Sequence, residues 1–158
     1  MSIRSSAKRT RTGFTLVELA VVIVIIGVLA AFGVPKFLNS VERSKAAEAF
    51  AYLSAIRDAE ERYLAQQGVY ASNPTDLDIG LQPPKYFTVP STITVTAGSA
   101  TTLPGWSLQL TRDATSSSKG AYTVTFNQSG FDTTTGNSSI VSNPEINPMG
   151  TTSAGSST

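Results

Sequence analysis

The sequence predicts an α+β chain. A long, kinked N-terminal α-helix packs on a small antiparallel β-sheet of three to four strands, followed by a flexible Ser/Thr-rich tail. Three observations predict it. Residues 14–34 (FTLVELAVVIVIIGVLAAFGV) are almost continuously apolar, with one charge, Glu18. That run passes directly into residues 35–67, where apolar side chains recur at three- and four-residue steps, the period of one face of a helix. From Gly68 onward the chain is rich in Gly, Pro, Ser and Thr, and its short β-type runs alternate apolar with hydroxyl side chains.

The composition excludes a good deal. The 158 residues contain no Cys and no His. There can be no Ser-His or Cys-His nucleophile pair, no zinc finger and no disulfide, and no clustered carboxylates or phosphate loop take their place. An enzyme is therefore not expected, and no cofactor is implied. The formal net charge of +1 hides a segregation of charge. Residues 1–13 (MSIRSSAKRTRTG) hold Arg4, Lys8, Arg9 and Arg11 with no acid. Removing that leader leaves an acidic chain with no basic patch, so direct nucleic-acid binding is not expected.

The 21-residue, nearly continuous apolar stretch 14–34 spans about 32 Å as a helix at ~1.5 Å per residue, enough to cross a hydrocarbon core. The basic cluster in front of them places the N-terminus in the cytoplasm and exports the C-terminus. A cleaved secretory signal is the alternative, with Val28-Leu29-Ala30 as its cutting site. Glu18 near the start of the apolar run and the apolar residues beyond the cut, Ala31, Phe32, Val34, Phe37 and Leu38, weigh against it.

Gly13-Phe14-Thr15-Leu16-Val17-Glu18 and the run that follows through Phe37 closely resemble the type IV pilin-like family, the bacterial pilins and type II secretion pseudopilins. The resemblance continues more loosely to Gln67. It implies that a membrane peptidase cuts the 1–13 leader after Gly13 and that the new amine on Phe14 is methylated. It further implies an inner-membrane assembly platform and a homopolymer of identical subunits. Glu18 then lies one helical turn from a positive amine. A carboxylate inside a membrane helix costs roughly 2–3 kcal/mol or more and needs a partner. Pairing with a neighbour's amine offsets that cost only in a defined axial stagger, which makes Phe14 and Glu18 the expected assembly residues. A snorkelling interfacial carboxylate is the alternative reading of Glu18. Gly27 and Ala31 form a small-xxx-small pair that would allow close helix approach.

Gly33 and Pro35 follow the membrane-length segment (14–38). A proline in a helix removes one backbone bond and clashes with the preceding turn, so a kink is expected there. Residues 39–67 form the amphipathic half. Its stripe is Ala46, Ala49, Phe50, Leu53, Ile56, Ala59 and Tyr63, while Glu42, Arg43, Lys45, Glu48, Asp58, Glu61 and Arg62 occupy the other side. Core packing is the expected role of Phe50, Tyr52 and Tyr63. Gly68 is expected to end the helix as its C′ residue.

Residues 68–132 make the head. A connecting loop, with a short helical turn at 75–77, precedes strands expected at 86–89, 92–96, 106–112 and 122–127. Trp106, Leu108 and Leu110, then Tyr122, Val124 and Phe126, face the helix; Ser107, Gln109, Thr111, Thr123 and Thr125 face away. Residues 133–158 contain 12 Ser or Thr and one charge, Glu145, and are expected to bury little and to be mobile beyond Met149. Asp113, Asp132 and Glu145 are weak Ca²⁺ candidates that lack an EF-hand spacing, so no metal is expected. Many family members close the C-terminal loop with a disulfide. The absence of Cys here favours major pseudopilins and disulfide-free pilins.

Two functions follow from the resemblance. The first is a type IV pilus subunit, lodged in the inner membrane before assembly and then extracellular. The alternative is a pseudopilin in a short periplasmic filament. A membrane-anchored binding domain is the competing class, and it leaves the placement of Phe14 and Glu18 unexplained.

Overall fold

A computed structural model describes residues 13–101, 103–134 and 136–150. The leader residues 1–12 and residues 151–158 of the expected tail lie outside the described residues. By backbone contacts the chain divides into two compact units, one ending at Lys36 and one beginning at Phe37.

One helix, α1 (Leu16–Gln67), runs without interruption through Gly33 and Pro35. In the first unit it carries little but apolar side chains, and all of them are exposed except half-buried Ala20. From Asn39 onward the polar and apolar residues separate by face. Ala46, Ala49, Leu53 and Ile56 are fully enclosed, Phe50 nearly so. The helix ends as expected. Gly68 adopts φ +77°, a conformation that disfavours any residue with a Cβ. Its N–H donates to the Leu64 carbonyl at 2.8 Å.

The rest of the second unit is a five-stranded antiparallel sheet. Its strands are β1 (Phe87–Thr88), β2 (Thr94–Thr96), β3 (Gly105–Arg112), β4 (Thr123–Asn127) and β5 (Gly130–Phe131). β3 is the hub. β4 lines one edge, while β1 and β2 share the other, with Phe87 opposite Arg112 and Thr96 opposite Gly105. The expected strands are all present, three of them shorter than their sequence runs, and β5 adds one beyond them. It closes a hairpin on β4, with Phe126 opposite Phe131. A short 3-10 turn at Pro74–Asp76 occupies the expected place.

The core lies between α1 and the sheet. Trp106, Leu108, Leu110, Tyr122, Val124 and Phe126 all point inward as the alternation requires. Phe50 on the helix packs edge-on to Phe126 at 5.6 Å and sits 4.8 Å from Phe131. Phe50, Tyr52 and Tyr63 thus serve the core.

Two expectations need correction. Glu42 does not lie on the solvated side of α1: it is 2% exposed, because it stands one turn before Ala46 on the buried stripe. The segment after residue 132 also buries more than its composition suggests. Ile140 and Ile146 are fully enclosed, and a 3-10 turn spans Ser139–Ser142. The hydroxyls that lowered its apolar content are the means by which it docks. The Ser138 and Ser139 Oγ atoms accept the outward N–H groups of Thr125 and Thr123 at 2.9 and 2.8 Å. The Asn137 carbonyl accepts from Thr125 Oγ1 at 2.6 Å and from Gln109 Nε2 at 2.7 Å. Thr125, expected on the outer face, is therefore buried. This segment occupies the β4 edge with side chains instead of a further strand, and satisfies backbone groups that would otherwise lack partners.

Candidate assembly and processing site

The first turn of α1 is built from Thr15 and Glu18. Thr15 Oγ1 accepts the Glu18 N–H at 3.2 Å, and Glu18 Oε2 accepts the Thr15 N–H at 2.9 Å and its hydroxyl at 2.8 Å. This is a reciprocal capping box, with Thr15 as N-cap and Glu18 three residues on. It satisfies helix-end donors that have no intrahelical partner. The Thr-x-x-Glu spacing that announces this box is legible in the sequence, and Thr15 joins Glu18 as a residue of the site. Both bonds fall on one oxygen. Among the described residues Glu18 Oε1 accepts none, so half of the carboxylate remains open to a donor from outside the chain.

Gly13 and Phe14 precede this box. A Cβ built on Gly13 meets nothing within 4 Å, and Phe14 is 82% exposed. The geometry is that of an accessible backbone segment immediately before a capped helix. Gly33 and Pro35 lie well inside α1, and a Cβ on Gly33 likewise meets nothing. The helix holds a window long and apolar enough to cross a membrane, none of it buried.

The three weak Ca²⁺ candidates each have hydrogen-bond partners within the chain. Asp113 caps the 3-10 turn Ala114–Ser116, accepting the Thr115 N–H at 2.9 Å, and those bonds hold its carboxyl below the usual range. Burial pushes the Asp132 carboxyl upward, but the Asn137 amide at 2.7 Å and the Thr134 N–H outweigh it and the net shift is downward. Glu145 accepts from Asn39 at 2.7 Å and from Lys119 at 3.3 Å. Among the described residues no group of three or more acidic side chains gathers to hold a metal.

A second polar centre, not foreseen from the sequence, sits inside the head. Arg112, at 0% exposure, donates through Nε to Glu42 Oε1 at 2.6 Å and through Nη2 to Oε2 at 3.3 Å. The Tyr122 hydroxyl adds a bond to Glu42 Oε1 at 3.0 Å. Burial alone would raise the Glu42 carboxyl. The bonds from Arg112 and Tyr122, with the charges of Arg112 and Lys45, overcome it and hold the group below its usual value. Tyr122 is pushed well up by burial and by the Glu42 charge. The alternation of β3 had already given the signal: Arg112 continues the inward series of Trp106, Leu108 and Leu110.

Comparison with known proteins places these features. Residues 8–34 match the prokaryotic N-terminal methylation motif, and residues 42–153 match the pilin (bacterial filament) family. This chain belongs to the pilin family. The pilin match covers the amphipathic half of α1, the sheet and the docked C-terminal segment; the methylation motif covers Gly13, Phe14 and Glu18. The chain is 39% identical over 66 residues to fimbrial protein EcpC of Eikenella corrodens, covering 42% of this chain and 43% of that protein. It is 41% identical over 59 residues to the type IV major pilin protein PilA of Myxococcus xanthus, covering 37% and 27% respectively. It is 37% identical over 70 residues to type II secretion system core protein G of Vibrio cholerae, covering 44% and 48%. The matched stretches thus span less than half the length of these curated relatives. No solved structure matches the chain.

Proposed function

We propose that this pilin-family chain is the structural subunit of a type IV pilus filament, inserted in the bacterial inner membrane as a precursor. The N-terminus faces the cytoplasm and the head is exported. A prepilin peptidase cuts between Gly13 and Phe14, the Phe14 amine is methylated, and an assembly platform adds subunits to a homopolymer. The observation that carries this reading is the contrast inside α1. Residues 14–38 expose an almost wholly apolar surface, with Phe14 82%, Phe32 73% and Phe37 67% accessible. That surface must lie in lipid or against copies of itself. Glu18 supports the second environment. Thr15 occupies its Oε2, and its Oε1 suits a neighbour's amine, which offsets the cost of a carboxylate among apolar helices.

Intact-mass measurement with N-terminal sequencing of the cell-associated protein tests the reading. The expected chain begins at a methylated Phe14. A start at Ala31, the product of ordinary signal cleavage, would overturn it.

A second reading keeps the same subunit in a short periplasmic filament of a type II secretion system. The similarity to core protein G of Vibrio cholerae supports it. Deletion separates the two readings. Loss of long surface fibres with normal secretion marks the pilus; loss of secreted proteins marks the pseudopilus.

A further inference from the structure

Leu103, in the connection between β2 and β3, is 91% exposed, more than any other large apolar side chain among the described residues. Even the side chains of the membrane-length run are less open. An exposed leucine is ordinary in itself. This one stands in a surface without charge, because the sequence holds no charged residue between Lys85 and Arg112.

A hole of matching chemistry lies elsewhere on the same head. Tyr52 of α1, Pro74, Pro83, Val89 and Pro90 wall a cavity of about 300 Å³, Ser91 adds a hydroxyl, and no charged residue lines it. Tyr52 is only 5% exposed, yet among the described residues its hydroxyl makes no hydrogen bond. Buried tyrosines normally find a partner for that group. The core uses the ring alone, and the hydroxyl suits an occupant that brings backbone N–H or carbonyl groups with it.

Knob and hole are far apart within one head. From Tyr52 to the end of α1 at Gln67 is about 22 Å at ~1.5 Å per residue. Pro104, next to Leu103, lines a groove with Gly68, Val69 and Tyr70 beyond that end. Leu103 therefore does not reach the cavity of its own head. A knob and a hole at different places on one surface make a heterologous contact, which runs on as an open filament when it does not close into a ring.

We propose that Leu103 of one copy inserts into the Tyr52–Pro90 cavity of a second copy, tying parallel heads that are offset along α1. The inference rests on the filament reading and adds a contact between heads to it. A second copy is the occupant because the chain belongs to a bacterial filament family and because the two surfaces are both neutral, so docking strands no charge.

The chain has no Cys, so one introduced pair reads the contact. The full chain carrying Leu103→Cys with Ser91→Cys is expressed in cells and oxidised with copper phenanthroline. A non-reducing gel should show a ladder of disulfide-linked dimers, trimers and longer species. Cysteines whose Cα atoms lie more than about 7 Å apart do not bridge, so the bond cannot form within one head. Filaments of this variant that give no ladder overturn the docking and leave the filament reading standing. A parent chain that forms no filament, on the surface or in the periplasm, overturns both. If the paired variant does not assemble, single changes decide. Leu103→Asp should lower filament yield at least about tenfold, because insertion would bury a charge, while Leu103→Met should stay within about twofold of the parent. Fluorescence of Trp106, the single tryptophan, should show both heads folded alike, since Leu103 is exposed in the isolated head. Equal yields from these two variants overturn the proposal.

Discussion

Residues 14–38 and 39–67 belong to one helix and carry opposite instructions. In the first stretch apolar side chains surround the axis and none is buried; in the second they gather towards one face, where Ala46, Ala49, Phe50, Leu53, Ile56 and Ala59 are buried. Each stretch contains a carboxylate one or two turns from its start. Glu18 lies exposed and, among the described residues, bonds only to Thr15. Glu42 is enclosed and saturated by Arg112 and Tyr122. The difference teaches that the first half of α1 is incomplete as a single molecule, whereas the second is complete. Substitutions in the first half should therefore alter assembly and leave the head alone. Those in the second half should alter the stability of the head.

The sharpest way to break this comparison is Glu18→Ala. Filament yield, measured by shearing and immunoblotting, should fall at least about tenfold if the carboxylate supplies a buried intersubunit pair. Trp106-monitored unfolding of the full chain in detergent should not move. Normal filaments from this variant would show that the first half does not depend on its carboxylate.

Arg112→Ala attacks the corresponding pair in the head. It strands the Glu42 carboxylate in an enclosed site, and removing one partner of a buried pair costs about 3–5 kcal/mol. Unfolding by denaturant should show a loss of that order. The pair also sets a pH dependence. The folded Glu42 carboxyl lies below its ordinary value near 4.5, so its contribution is present above that pH and fades as the pH falls through the folded value. Arg112→Ala should remove this acid-side loss along with the stability.

A matched pair of apolar deletions comes next. Leu53→Ala should destabilise the head by about 2–4 kcal/mol, because Leu53 is fully enclosed and its removal leaves a cavity. Ile25→Ala removes a side chain that is 53% exposed and should leave unfolding unchanged while weakening assembly.

How far the sequence reveals these roles depends on the physical rule at work. Periodicity reveals the inward faces of β3 and β4 and the contrast between the halves of the helix, because each rests on many side chains acting together. Rules based on residue type did less well. The charge of Glu42 points it to water, although its spacing from Ala46 puts it on the buried stripe. Arg112 passed unnoticed at the inward end of an alternating strand. The docking of residues 137–140 was illegible for another reason: the polar groups that satisfy Thr123 and Thr125 are far away in sequence, and no local pattern announces them. At the N-terminus the spacing of Gly13, Phe14 and Glu18 was legible, and so was the Thr15 capping box that went unused.

Glu60 sharpens the comparison from the far end of the helix. It is fully enclosed, accepts the Ala71 N–H at 2.9 Å on Oε2, and among the described residues has no partner on Oε1. Burial is the main cause that raises its carboxyl, with Glu61 adding to it against the Ala71 bond. The sign is opposite to that of Glu42. The folded state holds this proton more tightly than the unfolded chain, so Glu60 favours folding most at acid pH. Stability is lost as the pH rises above the ordinary value near 4.5 and through the raised one. In Glu60→Gln that alkaline-side decline should flatten while the acid-side loss due to Glu42 persists. A parallel pair of pH profiles would show that Glu60 does not titrate in the folded head.

The smallest effect belongs to the C-terminal segment. Ser139 accepts the Thr123 N–H at 2.8 Å and returns a bond from its own N–H to Thr123 Oγ1 at 3.0 Å. Ser139→Ala removes the first of these and keeps the second, leaving one half-buried backbone donor on β4 without its acceptor. A neutral hydrogen bond of this kind contributes about 0.5–1.5 kcal/mol, and the loss should fall in that range. Amide exchange at Thr123 should accelerate, because its N–H faces the β4 edge and has no ladder partner there. The hydroxyls of this segment do locally what a further strand would do along the whole edge, so the effect should stop short of residues on β3. Acceleration across β3 as well would mean that the segment supports the entire sheet and not one edge of it.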